Sequence, residues 1–381
     1  MKIVYIIRSL AQKAGVERVM SDKMNYLAEH GFEITVITYD QGKHPYAYPL
    51  HQTIRHIDLN MCFFKLSKYN LIIRLAHLIR LRHQFRRHLQ SVLDSIKPDT
   101  IVVSTCSIKL MDIILSVRSN ARIIVESHAP CYAIRKSFYY KNKPLLRFLA
   151  SIYDNKMLRN IVKANLLVVL TEGDANEWRK YISNVKIIPN PITSFPEKIR
   201  SHDDCRSRIL CAGRLNKEKR FNMVIEAFAM IADKCPKWRV DIYGEGSEKD
   251  ELLRLIQQFQ LSDRVFVNNP TVDIFKEYQE SDFFVLSSEY EGFGLVLIEA
   301  MACGIPCVSF KCKYGPEDII NDGKDGLLVD DGNIIDLSEK MLWMISHREE
   351  RLCMGKNARE AVRRYKKQVV MQQWINLFEN K

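Results

Sequence analysis

The chain has 381 residues and a mass of 44.5 kDa, of which 47% are hydrophobic, 27% charged and 10% aromatic. This length suggests two domains of ordinary size, and the composition excludes a disordered or collagen-like protein. The formal net charge of +12 is uneven, because residues 1–196 carry 29 Lys and Arg against 14 Asp and Glu (+15), whereas residues 197–381 carry 28 against 31 (−3).

No uncharged apolar run reaches the roughly 18 residues that a membrane-spanning helix needs. The first apolar run ends at Arg8 and is shorter than the roughly 7–15 apolar residues of a secretory signal. The ten cysteines form no CxxC pair, which argues against a disulfide framework or a zinc site. Cys303, Cys307 and Cys312 lie close enough to suggest a metal, but we interpret them as small core residues. We therefore expect a cytoplasmic protein.

The first half of the chain alternates between strand-like and helical patterns. Its predicted elements are strands at 2–7, 34–38, 100–104, 122–126, 166–170 and 185–188, and a helix at 16–30. Such alternation predicts βαβ units and a parallel sheet. Pro189, Pro191 and Pro196 interrupt the pattern, and a polar stretch follows at 197–206. We place the domain boundary there, which makes 1–196 the first domain.

The basic excess is greatest between residues 61 and 90, which contain seven Lys or Arg and no acidic residue. Leu71, Leu75, Leu78 and Ile79 recur there at helical spacing, with arginines between them. Such a helix favours an anionic membrane surface, although a solvated surface helix shows the same pattern. Nucleic acid would be attracted by the same charge, but the sequence contains no recognition motif, so we expect no nucleic-acid partner.

A second alternating series follows the boundary. Its predicted strands are 208–212, 239–243, 265–267, 283–286 and 307–310. One face of the first helix in this series carries Phe221, Val224, Ile225, Phe228 and Ile231. We therefore expect two doubly wound α/β domains, the second at 197–355, followed by a basic and then apolar helix at 356–381. Such sheets bind ligands beyond the carboxyl ends of their strands, which predicts a site in the cleft between the domains.

The strongest chemical signal follows the strand at 283–286. The loop there contains Gly292 and Gly294, which let backbone approach a ligand closely. A helix begins near Gly294, and its free N–H groups can hold an anion. Glu299 is a carboxylate within that otherwise apolar helix, and ligand hydroxyls such as those of a ribose would satisfy it. The alternatives are that Glu299 caps the helix or pairs with a lysine.

Three other loops carry weaker signals. The basic loop at 213–220 contains Arg214 and Lys219, whose side chains suit phosphate oxygens. Gly15 lies between the first strand and the first helix, a common phosphate position, although neither GxGxxG nor GxxxxGK[ST] occurs. His128 follows the strand at 122–126, where it would bridge donor and acceptor hydroxyls or act as an acid or base. The alternative is a strand-end histidine bonded to nearby backbone.

Together these loops resemble those of the retaining GT-B glycosyltransferases of family 4. The matching motif is E-x7-E, present here as Glu291 and Glu299 with Gly-Phe-Gly after the first glutamate. The resemblance is supported by Gly213, Arg214 and Lys219 in the basic loop and by the segments 188–191 and 323–329. The resemblance implies an α/β GT-B fold of two Rossmann-like domains, an acceptor domain followed by a nucleotide-sugar domain, with the last helix packing back on the first.

The resemblance also implies the roles of individual residues. Arg214 and Lys219 would hold the donor diphosphate, Glu299 the ribose and Glu291 the transferred sugar, with His128 near the reacting sugar. Backbone groups around the donor would come from Gly15, Gly213, Gly292, Phe293, Gly294 and Leu295. The chain departs from the family pattern in two places, because Ala14 precedes Gly15 where relatives often have a second glycine, and Arg220 follows Lys219 where they often have glycine.

The implied activity is transfer of a hexose or N-acetylhexosamine from a nucleotide-sugar to a glycan or polyprenyl-diphosphate-linked acceptor. Residues 311–320 resemble a segment of bacterial surface-polysaccharide transferases, which favours a UDP-sugar. No Asp-x-Asp motif occurs, so we expect no metal cofactor, with cationic side chains and the helix dipole stabilising the leaving group. Retention by same-face displacement and by a covalent intermediate are both compatible with the sequence.

An acceptor held in a membrane, together with the basic segment 61–90, predicts a protein on the inner face of the plasma membrane. Two rival interpretations remain. One is a nucleotide-sugar epimerase or hydrolase on the same fold, and the other is a non-catalytic, basic membrane-binding scaffold.

Overall fold

A computed structural model describes residues 1–12, 14–135, 140, 143–197, 199 and 205–380. The chain divides into two compact units, Met1–Pro189 with Met371–Lys381, and Asn190–Val370. The sequence predicts the boundary between the two domains at 196/197, whereas the first stretch of the first unit ends at Pro189. The reason is that Ile192 N–H donates to the carbonyl of Tyr365 at 2.8 Å, which ties the chain after Pro189 to the second unit.

The first unit contains a seven-stranded sheet whose paired strands are all parallel. Its strands are β1 Lys2–Ile7, β2 Glu33–Thr38, β3 Arg55–Asp58, β4 Thr100–Ser104, β5 Arg122–Glu126, β6 Leu166–Val169 and β7 Val185–Ile187. Their order is β3-β2-β1-β4-β5-β6-β7. The central strands are buried on both faces, which explains their continuous apolar runs. The edge strand β3 was not predicted, because its four residues, RHID, include only one apolar residue and none of them is fully buried.

The helices of this unit flank the sheet. They are α1 Gly15–Glu29, α2 Leu71–Ile96, α3 Met111–Ile114, α4 Cys131–Ile134, α5 Pro144–Ile161 and α6 Glu172–Trp178. The basic helix expected within 61–90 therefore begins at residue 71, after a 3₁₀ turn at Phe63–Lys68.

The second unit contains a six-stranded sheet, again with parallel pairs. Its strands are β8 Arg208–Ala212, β9 Arg239–Tyr243, β10 Val265–Asn268, β11 Phe283–Leu286, β12 Cys307–Phe310 and β13 Gly326–Val329, in the order β10-β9-β8-β11-β12-β13. Its helices are α7 Phe221–Ala229, α8 Lys249–Gln258, α9 Ile274–Gln279, α10 Leu295–Ala302, α11 Pro316–Ile319, α12 Ile334–Ser346 and α13 Arg348–Ala361.

The closing segment 356–381 was predicted as one helix, but the structure breaks it. Helix α13 ends at Ala361, a 3₁₀ turn covers Val362–Tyr365, and α14 spans Lys367–Glu379. The break occurs because Lys366 has a non-helical backbone, with φ −56° and ψ 143°. Within the first unit, Phe378 packs on Phe32 with ring centroids 6.1 Å apart.

Sheet order determines where ligand-facing loops meet. In the second unit β8 lies between β9 and β11. Strands β9 and β10 therefore lie on one side of β8 and strands β11 to β13 on the other, and the loops that follow β8 and β11 lie at the same edge of the sheet. In the first unit β1 lies between β2 and β4 in the same way. The carboxyl edge at such a switch point is where open α/β sheets bind ligands.

Candidate functional site

The loops after β8 and β11 bring two of the predicted site residues into direct contact. Lys219 Nζ donates to Glu291 Oε1 at 2.6 Å, and Ser288 Oγ donates to the same oxygen at 2.7 Å. Ser287 Oγ donates to the Lys219 carbonyl at 2.7 Å, which joins the two loops through the backbone as well. The Lys219 and Glu291 side chains are 16% and 12% exposed, so a ligand can reach them.

Arg214 lies in the same loop but is exposed, and it makes no ion pair with any residue that the structure describes. Its guanidinium is therefore available to a diphosphate. Arg220 behaves differently, because its side chain pairs with Asp331 at 2.8 Å and with Glu289 at 3.5 Å. The backbone of Arg220 is left-handed, with φ 47°, which accounts for the glycine that relatives often have there.

The loop after β9 braces the Arg214 loop. Leu215 N–H donates to the Glu245 carbonyl at 2.8 Å, and Gly213 N–H donates to the Tyr243 carbonyl at 3.0 Å. A Cβ at Gly244 would lie 1.9 Å from the Gly213 carbonyl oxygen, so that position accepts only glycine without rearrangement. Gly244 was not among the predicted site residues, although it directly follows a strand that pairs with β8, a position that indicates a loop at the same edge of the sheet.

The loop after β12 braces the loop that carries Glu291. Glu291 N–H donates to the Lys313 carbonyl at 3.0 Å, and Tyr314 N–H donates to the Glu291 carbonyl at 3.2 Å. Gly315 has φ 111°, and a Cβ there would lie 2.1 Å from the Phe293 carbonyl oxygen. Residues 311–315 therefore fix the backbone around Glu291, a role that their sequence alone did not indicate.

Helix α10 begins directly after this loop. Gly294, its N-cap, has φ 99°, a left-handed conformation that suits glycine, and no side chain caps the helix. The N–H groups of Leu295 and Val296 are therefore open to an anion, whereas the Leu297 N–H already donates to the Gly294 carbonyl at 2.9 Å. Gly292 is not left-handed. The Phe293 side chain is buried and packs edge-on against Tyr365 at 5.4 Å, which leaves its backbone as the part that a ligand would meet.

Glu299 is buried within α10 and accepts a hydrogen bond from Thr193 Oγ1 at 2.5 Å. Burial, with a smaller contribution from the Glu299 charge, raises the pKa of Tyr278 well above its usual value. Thr193 was missed by the sequence analysis, because no short-range pattern connects residue 193 to residue 299.

In the first unit, α1 begins at Gly15 without a side-chain cap. A surface cavity of about 580 Å³ lies beside it, lined by residues that include Arg8, Glu17, Asp40 and Phe64. Arg8 pairs there with Asp40 at 3.1 Å. Gly15 is thus exposed at the carboxyl edge of β1.

His128 lies in a buried cluster of charged side chains. Glu126 accepts hydrogen bonds from Lys23 Nζ with both carboxylate oxygens, and His128 Nε2 lies 3.4 Å from Glu126 Oε1. Lys23 Nζ also lies 4.0 Å from the ring centroid of Trp374, in α14. The side chains of Lys23, Glu126 and His128 are each 2% exposed, so the His128 ring is enclosed in this structure.

Burial dominates the electrostatics of this cluster. It lowers the pKa of His128, against the opposing charge of Glu126, which keeps the imidazole neutral near pH 7. It also lowers the pKa of Lys23, although Glu126 opposes this. The His128 backbone N–H donates to Thr105 Oγ1 at 3.3 Å, whereas neither ring nitrogen makes a hydrogen bond to a described residue, so the ring is not bonded to nearby backbone.

Cys303, Cys307 and Cys312 are buried free thiols. Burial raises the pKa of Cys303 to about 12 and raises that of the other two further. Across the described residues, no group of three or more His, Cys, Asp or Glu side chains is arranged to hold a metal ion. None of the described helices combines the length and the apolar character needed to cross a bilayer.

Two family models match adjacent parts of the sequence. The family described as "Glycosyltransferase Family 4" matches residues 14–194, and "Glycosyl transferases group 1" matches residues 195–361. An uncharacterized glycosyltransferase of Haemophilus influenzae is 26% identical over 98% of each chain. The poly(ribitol-phosphate) alpha-N-acetylglucosaminyltransferase of Staphylococcus aureus is 32% identical over 59% of this chain and 46% of its own length.

A solved structure matches the whole fold. The S. aureus protein TarM, in complex with fondaparinux, alpha-GlcNAc-glycerol and UDP, aligns with a TM-score of 0.77 over 99% of each chain, at 17% identity. At that identity the likeness concerns the fold, and with the two sheets it confirms the predicted pair of Rossmann-like domains.

Proposed function

Because this chain belongs to the family 4 and group 1 glycosyltransferases of the GT-B fold, we propose that it is a retaining enzyme using a UDP-sugar. The sugar would be a hexose or an N-acetylhexosamine. The acceptor would be a glycan, free or linked to a polyprenyl diphosphate, in the synthesis of a cell-surface polysaccharide.

One observation carries this proposal, the contact between Lys219 and Glu291 beside the open start of α10. An ammonium held in place by a carboxylate, an unpaired guanidinium at Arg214 and free helix N–H groups together suit a nucleotide diphosphate. Glu299 suits the ribose hydroxyls in place of its present bond to Thr193. The UDP in the TarM complex supports this choice of nucleotide.

The proposed chemistry is mainly electrostatic. Transfer breaks the bond between the sugar C1 and a diphosphate oxygen, and the electron pair leaves with the nucleotide. Arg214, Lys219 and the start of α10 stabilise the negative charge that develops, and they need little reorganisation to do so. The acceptor hydroxyl forms the new bond to C1 and gives up its proton to the departing diphosphate oxygen. His128, neutral near pH 7, would contact a sugar hydroxyl once its enclosing cluster admits the ligand.

The same cationic groups support a mechanism that is independent of metal ions. Arg214 and Lys219 supply the positive charge that a divalent cation supplies in other transferases. Full turnover in the presence of EDTA is the expected result, and turnover that depends on added Mg²⁺ or Mn²⁺ would overturn this part of the proposal.

The acceptor and its location follow from charge and from the relatives. The S. aureus relative is named for a polymeric phosphate-containing acceptor, which supports a polymeric or lipid-linked acceptor here. The N-terminal part of α2 exposes Arg74 and Arg80 and has no acidic residue, which supports binding to the anionic inner face of the plasma membrane. Binding to anionic vesicles should weaken as salt rises.

A donor panel tests the proposal. The protein is incubated with UDP- and GDP-sugars, with and without a glycan acceptor, and the products are assigned by NMR. We expect UDP release with one UDP-sugar, faster with acceptor, and an α-linked product from an α-linked donor. Rapid conversion to another UDP-sugar without acceptor would indicate the epimerase, and no turnover of any donor would favour the non-catalytic scaffold.

A further inference from the structure

The first half of α5 exposes apolar side chains instead of burying them. Leu145, Phe148 and Ile152 are spaced at i, i+3 and i+7 and are 73%, 62% and 55% exposed. Leu146 and Leu149 beside them are exposed as well. Surface helices of globular proteins normally turn such a stripe towards the core. A contiguous exposed apolar patch of this kind marks an interaction surface.

The exposed charged residues of α5 itself, and the charged residue before it, all have the same sign. Arg147, Lys156 and Arg159 of α5 are exposed, and Lys143 precedes the helix. Asp154 is the one acidic residue in the sequence of α5, and it is buried. The exposed side of the helix therefore combines apolar side chains with positive charge only.

Helix α2 has the same character at its start. Ile72, Leu75 and Ile79 are exposed, and the positive charges of Arg74 and Arg80 lie between them. Both helices thus present apolar and basic side chains over their first turns.

The two helices are neighbours through α3, which packs against both. Arg82 of α2 donates to Asp112 of α3 at 2.5 Å. Burial raises the pKa of Tyr153 in α5, and the nearby charge of Asp112 raises it further, so α5 lies close to the same carboxylate. The two helices that carry exposed apolar and basic side chains therefore both pack against α3 within one unit.

We propose that the exposed apolar side chains of α5 insert into an anionic lipid bilayer next to α2. A bilayer accepts apolar side chains from two helices without a complementary shape, and its anionic headgroups pair with the surrounding Lys and Arg. A protein partner would instead need an apolar surface shaped to fit these side chains, with acidic groups near the surrounding Lys and Arg. The proposal rests on the proposed function, in which the acceptor is held in a membrane. It adds to the electrostatic attraction of α2 an apolar contribution to membrane binding, which salt does not weaken.

Co-sedimentation with vesicles of phosphatidylcholine and phosphatidylglycerol, at low and high salt, tests this inference. The wild-type protein should keep part of its binding at high salt. Phe148→Ser with Leu149→Ser should lower the partition coefficient at both salt concentrations by at least about tenfold, because two large apolar side chains no longer leave water. Arg74→Ala with Arg80→Ala should remove mainly the salt-sensitive part.

A matched control is Val272→Ser with Ile335→Ser, two exposed apolar residues of the other unit, which should leave vesicle binding unchanged. The α5 variant should bind UDP with the affinity of the wild-type protein in a titration, which would show that its fold and donor site are intact. Wild-type binding by the α5 variant would overturn the inference. An oligomer of the wild-type protein that forms without lipid and is dissociated by the α5 substitutions would also overturn the inference, because the exposed apolar face of α5 would then bind protein. A wild-type protein that binds vesicles but turns over no donor would contradict the proposed function and leave this inference standing.

Discussion

Two lysine–glutamate pairs lie at the carboxyl edges of the two sheets, and they differ in burial. The Lys219–Glu291 side chains are 16% and 12% exposed, whereas Lys23 and Glu126 are each 2% exposed. Burying two charges costs several kcal/mol per ion before their attraction offsets it, so losing one partner of the more buried pair should cost more stability. Both pairs lie at a sheet edge, and in this structure only Lys219 and Glu291 are accessible enough for a ligand to reach without rearrangement.

Breaking the buried pair should give the largest effect. Glu126→Gln leaves the Lys23 ammonium without its counter-ion and should lower the free energy of unfolding by about 3–5 kcal/mol, measured by urea denaturation. The double variant Lys23→Met with Glu126→Gln should recover much of that loss, because no charge is then buried. Glu172→Gln is the matched control in the exposed pair with Arg179 and should cost less than about 1 kcal/mol. Equal losses for the buried and exposed pairs would contradict the comparison.

Asp174 tests what burial does to a carboxylate whose bonded partners are neutral. It accepts from Cys131 N–H at 2.7 Å and from Trp178 Nε1–H at 3.2 Å, and burial raises its pKa from 3.8 to about 7. Because the folded pKa is the higher one, the stabilisation from the protonated form is complete below pH 3.8 and is lost as pH rises through about 7.

The stability of wild type minus that of Asp174→Asn should therefore fall between about pH 4 and pH 7 by at most about 4 kcal/mol, and then level off. Urea denaturation of both proteins across this range gives the difference directly. A difference that does not change with pH, or that rises, would show that the Asp174 carboxyl is not perturbed in this direction.

The accessible pair should affect ligand binding more than stability. Arg214→Ala and Lys219→Ala should each weaken UDP binding by about 1.5–3 kcal/mol, the scale of a hydrogen bond to a charged group. Isothermal titration calorimetry measures this, with Lys217→Ala in the same loop as the control. UDP affinity that is equal in wild type and in both variants would remove the diphosphate site from this loop.

The backbone contact behind Glu291 should give a smaller effect. Gly315 and Gly323 both have positive φ, but only at Gly315 would a Cβ meet backbone, the Phe293 carbonyl oxygen. Gly315→Ala should therefore cost about 1–2 kcal/mol more stability than Gly323→Ala. Thermal denaturation of the two variants compares them, and equal losses would mean that the Glu291 loop does not depend on this contact.

The fold was largely predictable because its central strands are buried on both faces. Strands β1, β4, β5, β8 and β11 have the bounds that the apolar runs indicated. A strand that is only partly buried lacks such a continuous apolar run, as β3 shows. The GT-B assignment is confirmed by the two parallel sheets and by the family models that match residues 14–194 and 195–361.

The partners of the site residues were not predictable, since they come from distant parts of the chain. Lys23 joins Glu126, and Thr193 joins Glu299, across long sequence separations that no spacing rule covers. The buried cluster that contains His128 also includes Trp374 from α14, whose ring centroid lies 4.0 Å from Lys23 Nζ. Local pattern identifies which side chains carry chemistry, whereas burial and charge pairing appear only once the chain is folded.

Turnover of Glu291→Gln compared with Glu289→Gln tests the central claim most directly. The two glutamates share a loop, but Glu291 contacts Lys219 whereas Glu289 lies 3.5 Å from Arg220. With the donor found in the panel, Glu291→Gln should lose turnover by roughly 100-fold or more, on the scale of removing one preorganised polar group, and Glu289→Gln should stay near wild type. Wild-type turnover by a folded Glu291→Gln protein would contradict the assignment of this loop to the donor sugar.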